Sequence, residues 1–237
     1  MESVFDSNQK NLAKSAGALL ENTIAEHGGQ PLLILVSAGS ALQVLADVTV
    51  PENTSHITLG VLDERFTKDV AENNFLLLTQ TSFYRDIVQR GGHTIDTSKY
   101  FERVEDLAEM MDNSWRTWIE KNPDGHVVAT FGMGADGHTA GIMPYAEDAG
   151  MFEILFEDER RFAVGYDARG KNAIPLRATA TLPFLRAHID VGIGYVTGVE
   201  KKSVLERLLG EHGTDAETPS RIFRDIQNFT LFTTIAS

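Results

Sequence analysis

Apolar runs of strand length recur in this chain at residues 31–36, 57–62, 127–131, 162–166 and 189–196, and the intervals between them carry helical spacing. A run that is apolar at every position must be covered on both faces, which is the condition of a parallel strand packed between helices. Between residues 8 and 26, Leu12, Ala16, Leu19, Leu20 and Ile24 keep helical spacing until Gly28 and Gly29 stop the pattern. Residues 104–120 repeat the amphipathic pattern, residues 41–46 predict a short helix after the small-residue turn at 37–40, and residues 229–235 predict a last strand. Such alternation defines an α/β chain with a mostly parallel sheet flanked by helices.

Nothing divides the 237 residues: there is no internal repeat, no low-complexity tract and no linker, so residues 1–237 are expected to form a single domain. The 21 Lys and Arg stand against 34 Asp and Glu, and a net charge of -13 opposes binding to nucleic acid or to an anionic membrane surface. No stretch has the length of uninterrupted apolar residues a membrane span needs. The polar, acidic opening residues do not resemble an export signal and cysteine is absent, so a cytoplasmic protein without disulfides or thiolate metal sites is expected. Oligomeric state leaves no trace in the sequence.

Ligands of parallel α/β sheets bind beyond the carboxyl ends of the strands, so the junctions after the apolar runs are where chemistry is expected. The richest follows residues 127–131, where Gly132, Gly134 and Gly137 surround Asp136 and His138. Glycines let the backbone present N–H groups, and the carboxylate and imidazole offer proton transfer, although the same segment also fits a turn with a solvated histidine. The three glycines satisfy the dinucleotide pattern G-x-G-x-x-G. Pro144, however, interrupts the helix that pattern requires, and no acidic residue stands at the right distance beyond a strand.

A second junction is Asp63-Glu64-Arg65, where Arg65 either faces a ligand anion or pairs internally with an acid. The third, residues 37–40, sets Ser37, Gly39 and Ser40 at a helix start, either to cradle an anion or to serve as a plain cap. Arg177 and Lys201 add cations near other element ends. Together these features suggest a phosphate site beside a proton-transfer site. Signatures of serine hydrolases, nucleoside triphosphatases and zinc peptidases are missing.

In this order the segments resemble the 6-phosphogluconolactonase family, which is related to the glucosamine-6-phosphate deaminases and has a Rossmann-like fold. Gly132-Met133-Gly134-Ala135-Asp136-Gly137-His138-Thr139-Ala140 with Pro144 follows the family's G-M-G-x-D-G-H-T-A-S-L-F-P. Asp63-Glu64-Arg65 corresponds to its D-E-R, Asn74 to its following asparagine, Arg177 to its R-x-T and Lys201 to its G-x-x-K. The departures are Ser37-Ala38-Gly39-Ser40-Ala41-Leu42 where the family has S-G-G-S-T-P, and Gly141 and Met143 in place of serine and phenylalanine.

The resemblance implies hydrolysis of 6-phospho-D-glucono-1,5-lactone to 6-phosphogluconate in the oxidative pentose phosphate pathway, with no metal or organic cofactor. It implies His138 as base, Asp136 as its support, Arg65 and Lys201 as phosphate ligands and Arg177 as a further one, and glycine-loop N–H groups, including those near Gly134 and Gly137, at the oxyanion. The deaminase relatives have D-E-Y in place of Asp63-Glu64-Arg65 and a glutamate where this chain has Met143, which cannot relay protons. A noncatalytic sugar-phosphate binder is the other alternative, against which both Asp136 and His138 are retained.

Overall fold

The structure, a computed structural model, describes residues 1–99 and 101–236. After β1 (Glu2–Phe5), Asn8 caps α1 (Gln9–Glu26) by accepting hydrogen bonds from the N–H groups of Lys10 and Asn11. There follow β2 (Leu32–Val36), a 3-10 helix (Gly39–Leu45), β3 (Ile57–Val61), β4 (Asp63–Arg65), α2 (Asn74–Thr79), α3 (Ser82–Gln89), β5 (His93–Thr94) and α4 (Val104–Lys121). The second half holds β6 (His126–Phe131), α5 (Ala149–Phe156), β7 (Ala163–Asp167), β8 (Leu176–Ala180), α6 (Leu182–His188), β9 (Val191–Val196), α7 (Lys202–Leu209) and β10 (Asn228–Thr233). Short 3-10 turns at Val199–Lys201 and Pro219–Arg224 flank α7.

Seven strands form one parallel sheet in the order β1-β10-β9-β6-β2-β3-β5. Successive side chains of a strand point to opposite faces, and β2 divides accordingly. Leu32, Ile34 and Val36 join the core beneath α1, α2, α3 and the 3-10 helix, whereas Leu33 and Leu35 join the core beneath α4 to α7. Both faces are therefore buried, as the unbroken apolar runs require. Between β2 and β6 the chain order reverses, with β3 beyond β2 on one side and β9 beyond β6 on the other. That reversal opens a crevice at the carboxyl ends of the two strands.

One expected parallel strand lies elsewhere. Residues 162–166 contribute to β7, which pairs antiparallel with β8, and β8 pairs antiparallel with β4 in a separate three-stranded sheet. The physical reason is the connection: residues 168–175 are too few for the crossover that a parallel neighbour demands. The exposed strand β1 and the mixed-polarity β4 and β8 carry no continuous apolar signal. The helix after residues 37–40 is a 3-10 helix that begins at Gly39, so Ser40 lies inside it.

The small sheet is tied to α2 by Glu64, which is wholly buried. Its carboxylate accepts hydrogen bonds from the backbone N–H groups of Arg65 (2.9 Å), Asn74 (2.6 Å) and Phe75 (3.0 Å) and from the Thr97 hydroxyl (2.7 Å). Two of those donors belong to the first turn of α2, where free N–H groups favour a carboxylate. Burial nevertheless wins over these bonds and pushes the Glu64 carboxyl up to about 7.

The folded value lies above the unfolded one, so this stabilising contribution is complete below the ordinary carboxylate range and is lost as pH rises through about 7. Glu64→Gln should be less stable than wild type at pH 5, because an acceptor is lost. Its deficit should shrink by about 1–3 kcal/mol at pH 8, at about 1.4 kcal/mol per tenfold change in proton affinity. Denaturant unfolding at the two pH values measures this, and a deficit that grows with pH would show that the four donors dominate.

Candidate active site

The crevice between β2 and β6 is lined by the loops that leave those two strands. Ser37 is anchored at its floor, its N–H donating to the Thr130 carbonyl at 3.1 Å. At Gly39, with φ +72, the chain turns into the 3-10 helix, whose first N–H groups have no partner within the helix. Across the crevice, the loop after β6 folds back on itself: Gly134 N–H donates to the His138 carbonyl (2.8 Å), Gly137 N–H to the Gly134 carbonyl (3.1 Å) and the Thr139 hydroxyl to the Gly132 carbonyl (2.7 Å). Thr139 and Ile142 then form an antiparallel bridge, so no helix follows Gly137 and the dinucleotide arrangement is absent from this loop.

The folded loop sets His138 Nδ1 2.6 Å from Asp136 Oδ1, and the same oxygen accepts the His138 backbone N–H at 3.1 Å. An ionised carboxylate only accepts, so Nδ1 carries the proton and donates to Asp136, leaving the Nε2 lone pair free. Burial acts to raise the Asp136 carboxyl, but the side-chain, charge and backbone interactions with His138 outweigh it and the net shift is downward. Asp136 therefore stays ionised at neutral pH. A Cβ on Gly134 would overlap His138 Nδ1, so the imidazole takes its place only because this position has no side chain.

The facing wall comes from the small sheet. Arg65 on β4 and Arg177 on β8 are directly opposed partners in the antiparallel ladder. Like charges opposed in this way repel, and each arginine has its own carboxylate. Arg177 NH1 lies 3.4 Å from Asp63 Oδ2, both side chains being buried, and Arg65 NH1 pairs with Glu72. Asn74 Nδ2 donates to the Asp63 carbonyl (2.8 Å) and to Oδ2 (3.3 Å). Behind Asp63 stands Gly141, at φ +74, where a Cβ would lie 2.7 Å from the carboxylate. The serine that the family pattern has at this position would crowd Asp63. Burial raises the Asp63 carboxyl despite the opposing charges of Arg177, Arg65 and His138.

These walls enclose a cavity of about 380 Å³. Ser37 Oγ, Arg65 Nε, Asn74 Oδ1 and Arg177 Nε are all buried without a hydrogen-bond partner, and all four residues line it. Only Trp115 Nε1 and Ser220 Oγ share that condition elsewhere among the described residues. Buried polar atoms are normally paired because leaving one unpaired costs about 1–3 kcal/mol. Their convergence marks a place where a polar ligand supplies the missing partners.

Ser37, Gly39, Ser40, Asp63, Arg65, Gly134, His138 and Arg177 all line this cavity. Asp136 backs His138 and faces a neighbouring cleft, while Gly137, at φ +96, is packed against Thr218 behind the loop. Lys201 is not among the lining residues. It is half-buried in the turn after β9, at the same end of the sheet, with no carboxylate in salt-bridge range among the described residues, and burial lowers its pKa. Glu72 and Asn172 also line the cavity and had no sequence signal, since each is one polar residue in a polar loop; Asn74 stood out only through the family pattern. No group of three or more histidines and carboxylates suited to a metal occurs among the described residues.

A parallel α/β sheet with an imidazole–carboxylate pair and two arginines at its switch point defines an enzyme-like site for a small anionic ligand. The family comparison is specific: the model described as glucosamine-6-phosphate isomerases/6-phosphogluconolactonase matches residues 6–232, and the chain belongs to that family. A 6-phosphogluconolactonase of a Nostoc species is 26% identical over 214 residues, which cover 86% of this chain and 82% of that protein. Among solved structures, 6-phosphogluconolactonases from Shewanella baltica (TM-score 0.74, 18% identity) and Trypanosoma brucei (0.70, 16%) share the fold over 98% of this chain and 95% of theirs. One from Thermotoga maritima (0.67, 20%) does so over 98% and 96%.

Gly134→Ala should displace the imidazole while leaving the cores untouched. A misplacement of about 1 Å near the chemistry costs on the order of 100-fold in rate, so turnover should fall by that order with little change in thermal midpoint. Rate and melting temperature on the same preparation measure this. Undiminished turnover would show that His138 does not need its observed position.

Proposed function

We propose that this protein hydrolyses 6-phospho-D-glucono-1,5-lactone to 6-phosphogluconate. One observation carries the proposal: His138, held through Nδ1 by Asp136, lines the same cavity whose other wall is the Arg65–Arg177 pair. The base and the anion receptor are thus one small molecule apart. The Nostoc relative and the solved structures bearing the lactonase name support the same reaction.

In this mechanism His138 Nε2 takes a proton from water as the water oxygen attacks the lactone carbonyl. Charge develops on the carbonyl oxygen, where the proposed donors are N–H groups of the loop after β6 other than those of Gly134 and Gly137, which are donated within the loop. The tetrahedral intermediate collapses with cleavage of the bond to the ring oxygen, which receives the proton from the imidazolium. The product acid then ionises in solvent. Asp136 holds the ring in the required tautomer throughout and stabilises the imidazolium.

Arg65 and Arg177 are assigned to the substrate phosphate, with Ser37, Gly39 and Ser40 completing the cradle. Asp63 keeps Arg177 oriented, and Lys201 contributes from the rim. No step needs a metal or organic cofactor. Deaminase chemistry is disfavoured by Met143, which is fully buried in the core where a proton-relaying glutamate would stand. The substrate is a small sugar phosphate, so a cytoplasmic setting and independence from nucleic acid belong to the same proposal. No helix of the described residues is long and apolar enough to cross a membrane.

The decisive assay follows hydrolysis of freshly made 6-phosphogluconolactone above its spontaneous rate, with glucosamine 6-phosphate in parallel; ammonia release without lactone hydrolysis would overturn the assignment. His138→Asn should lower the catalysed rate by about 10²- to 10⁴-fold while 6-phosphogluconate still binds. A folded variant with near-wild-type hydrolysis would remove His138 as base.

Arg65→Ala should weaken use of the phosphorylated lactone by roughly 10- to 150-fold, the worth of a charge-assisted contact, and spare the unphosphorylated lactone. Lys201→Ala should show the same selectivity with a smaller loss. Equal losses on both lactones would mean general damage rather than phosphate recognition.

A further inference from the structure

Both cavity arginines are matched by carboxylates, but the two carboxylates differ in freedom. Asp63 is buried, held by Asn74 and backed by Gly141, so it cannot leave without breaking the wall. The Glu72 side chain is 41% exposed and lies between β4 and α2. Its backbone is fixed on both sides: Glu72 N–H donates to the Asp69 carbonyl (3.1 Å), and Asn73 caps α2 by accepting the Leu76 N–H (2.8 Å). Any movement of the Glu72 carboxylate out of the cavity would thus be made by its partly exposed side chain and not by its backbone.

Arg65 supplies an independent observation. Its NH1 is engaged by Glu72, yet its Nε is buried without a partner. One carboxylate placed this way leaves part of the guanidinium fork unused, whereas a phosphate group can meet it with two oxygens at once.

We propose that Glu72 is a displaceable counter-ion on Arg65, neutralising the guanidinium in the free protein and yielding it to the phosphate of the substrate. The proposal rests on the assignment of Arg65 to phosphate. Glu72 thereby sets the affinity of the site: its charge competes with every anion that enters, lowering affinity for substrate and product alike. Asp63 does not yield in this way, because it is buried beside Arg177 and has no path into solvent.

The test is calorimetric titration of inorganic phosphate and, separately, 6-phosphogluconate into wild type, Glu72→Gln, Arg65→Ala and the double variant at low ionic strength. Glu72→Gln should bind both anions about 1.5- to fivefold tighter, the range expected when a partly exposed competing ion pair is removed. The gain should vanish in the Arg65→Ala background, and Glu72→Ala should act in the same direction as Glu72→Gln. Unchanged or weaker binding in Glu72→Gln would overturn the proposal, since Glu72 would then be holding Arg65 in its binding position. A gain that persists without Arg65 would overturn it as well. If wild type fails to hydrolyse the lactone while the Glu72 effect on inorganic phosphate is present, the substrate assignment falls and the counter-ion role stands.

Discussion

The pairing of β2 with β6 is the constraint on which the site depends. Their register, Val36 beside Thr130 and Leu35 beside Ala129, places the two strand ends together in the middle of a sheet covered on both faces. β2 is wholly apolar and β6 nearly so, and the polar groups gather where the strands stop. Ser37 is held there by the Thr130 carbonyl, and the glycine-rich loop begins one residue after Phe131. The chain turns to opposite sides beyond these strands, so the loops part and leave a crevice between them.

A chain with a net charge of -13 must bind an anion by local arrangement. The small antiparallel sheet provides it by setting Arg65 and Arg177 opposite one another, a placement that repels until carboxylates or a ligand intervene. Each acid beside the cavity takes a different part. Asp63 is buried with Arg177, Glu72 pairs with Arg65 at the partly exposed side, and Asp136 is committed to His138. Glu64, between Asp63 and Arg65, is not part of the cavity lining and instead fixes α2, from which Asn74 reaches Asp63.

Much of this was legible beforehand. The runs at 31–36, 57–62 and 127–131 became β2, β3 and β6, and the amphipathic stretches at 8–26 and 104–120 became α1 and α4, because two-sided burial and one-sided burial leave different periodicities. The run at 162–166 looked the same and went into a different sheet, since periodicity reports burial and not the direction of a partner. Likewise β4 and β8 bury polar residues for the sake of the site, which removes the apolar signal by which strands are recognised.

The sequence by itself determined the residue chemistry: a glycine-rich loop carrying Asp136 and His138 after a buried strand, arginines at element ends, and a motif order specific enough to indicate the family. Those properties are local, set by backbone freedom, side-chain chemistry and the period of burial. Only the tertiary structure decided that Arg65 faces Arg177 across a ladder spanning more than a hundred positions, that Glu72 completes an ion pair in the cavity, and that Lys201 stands outside its lining. These depend on strand register and on which cations find which carboxylates, and both are settled by packing between segments far apart in the chain.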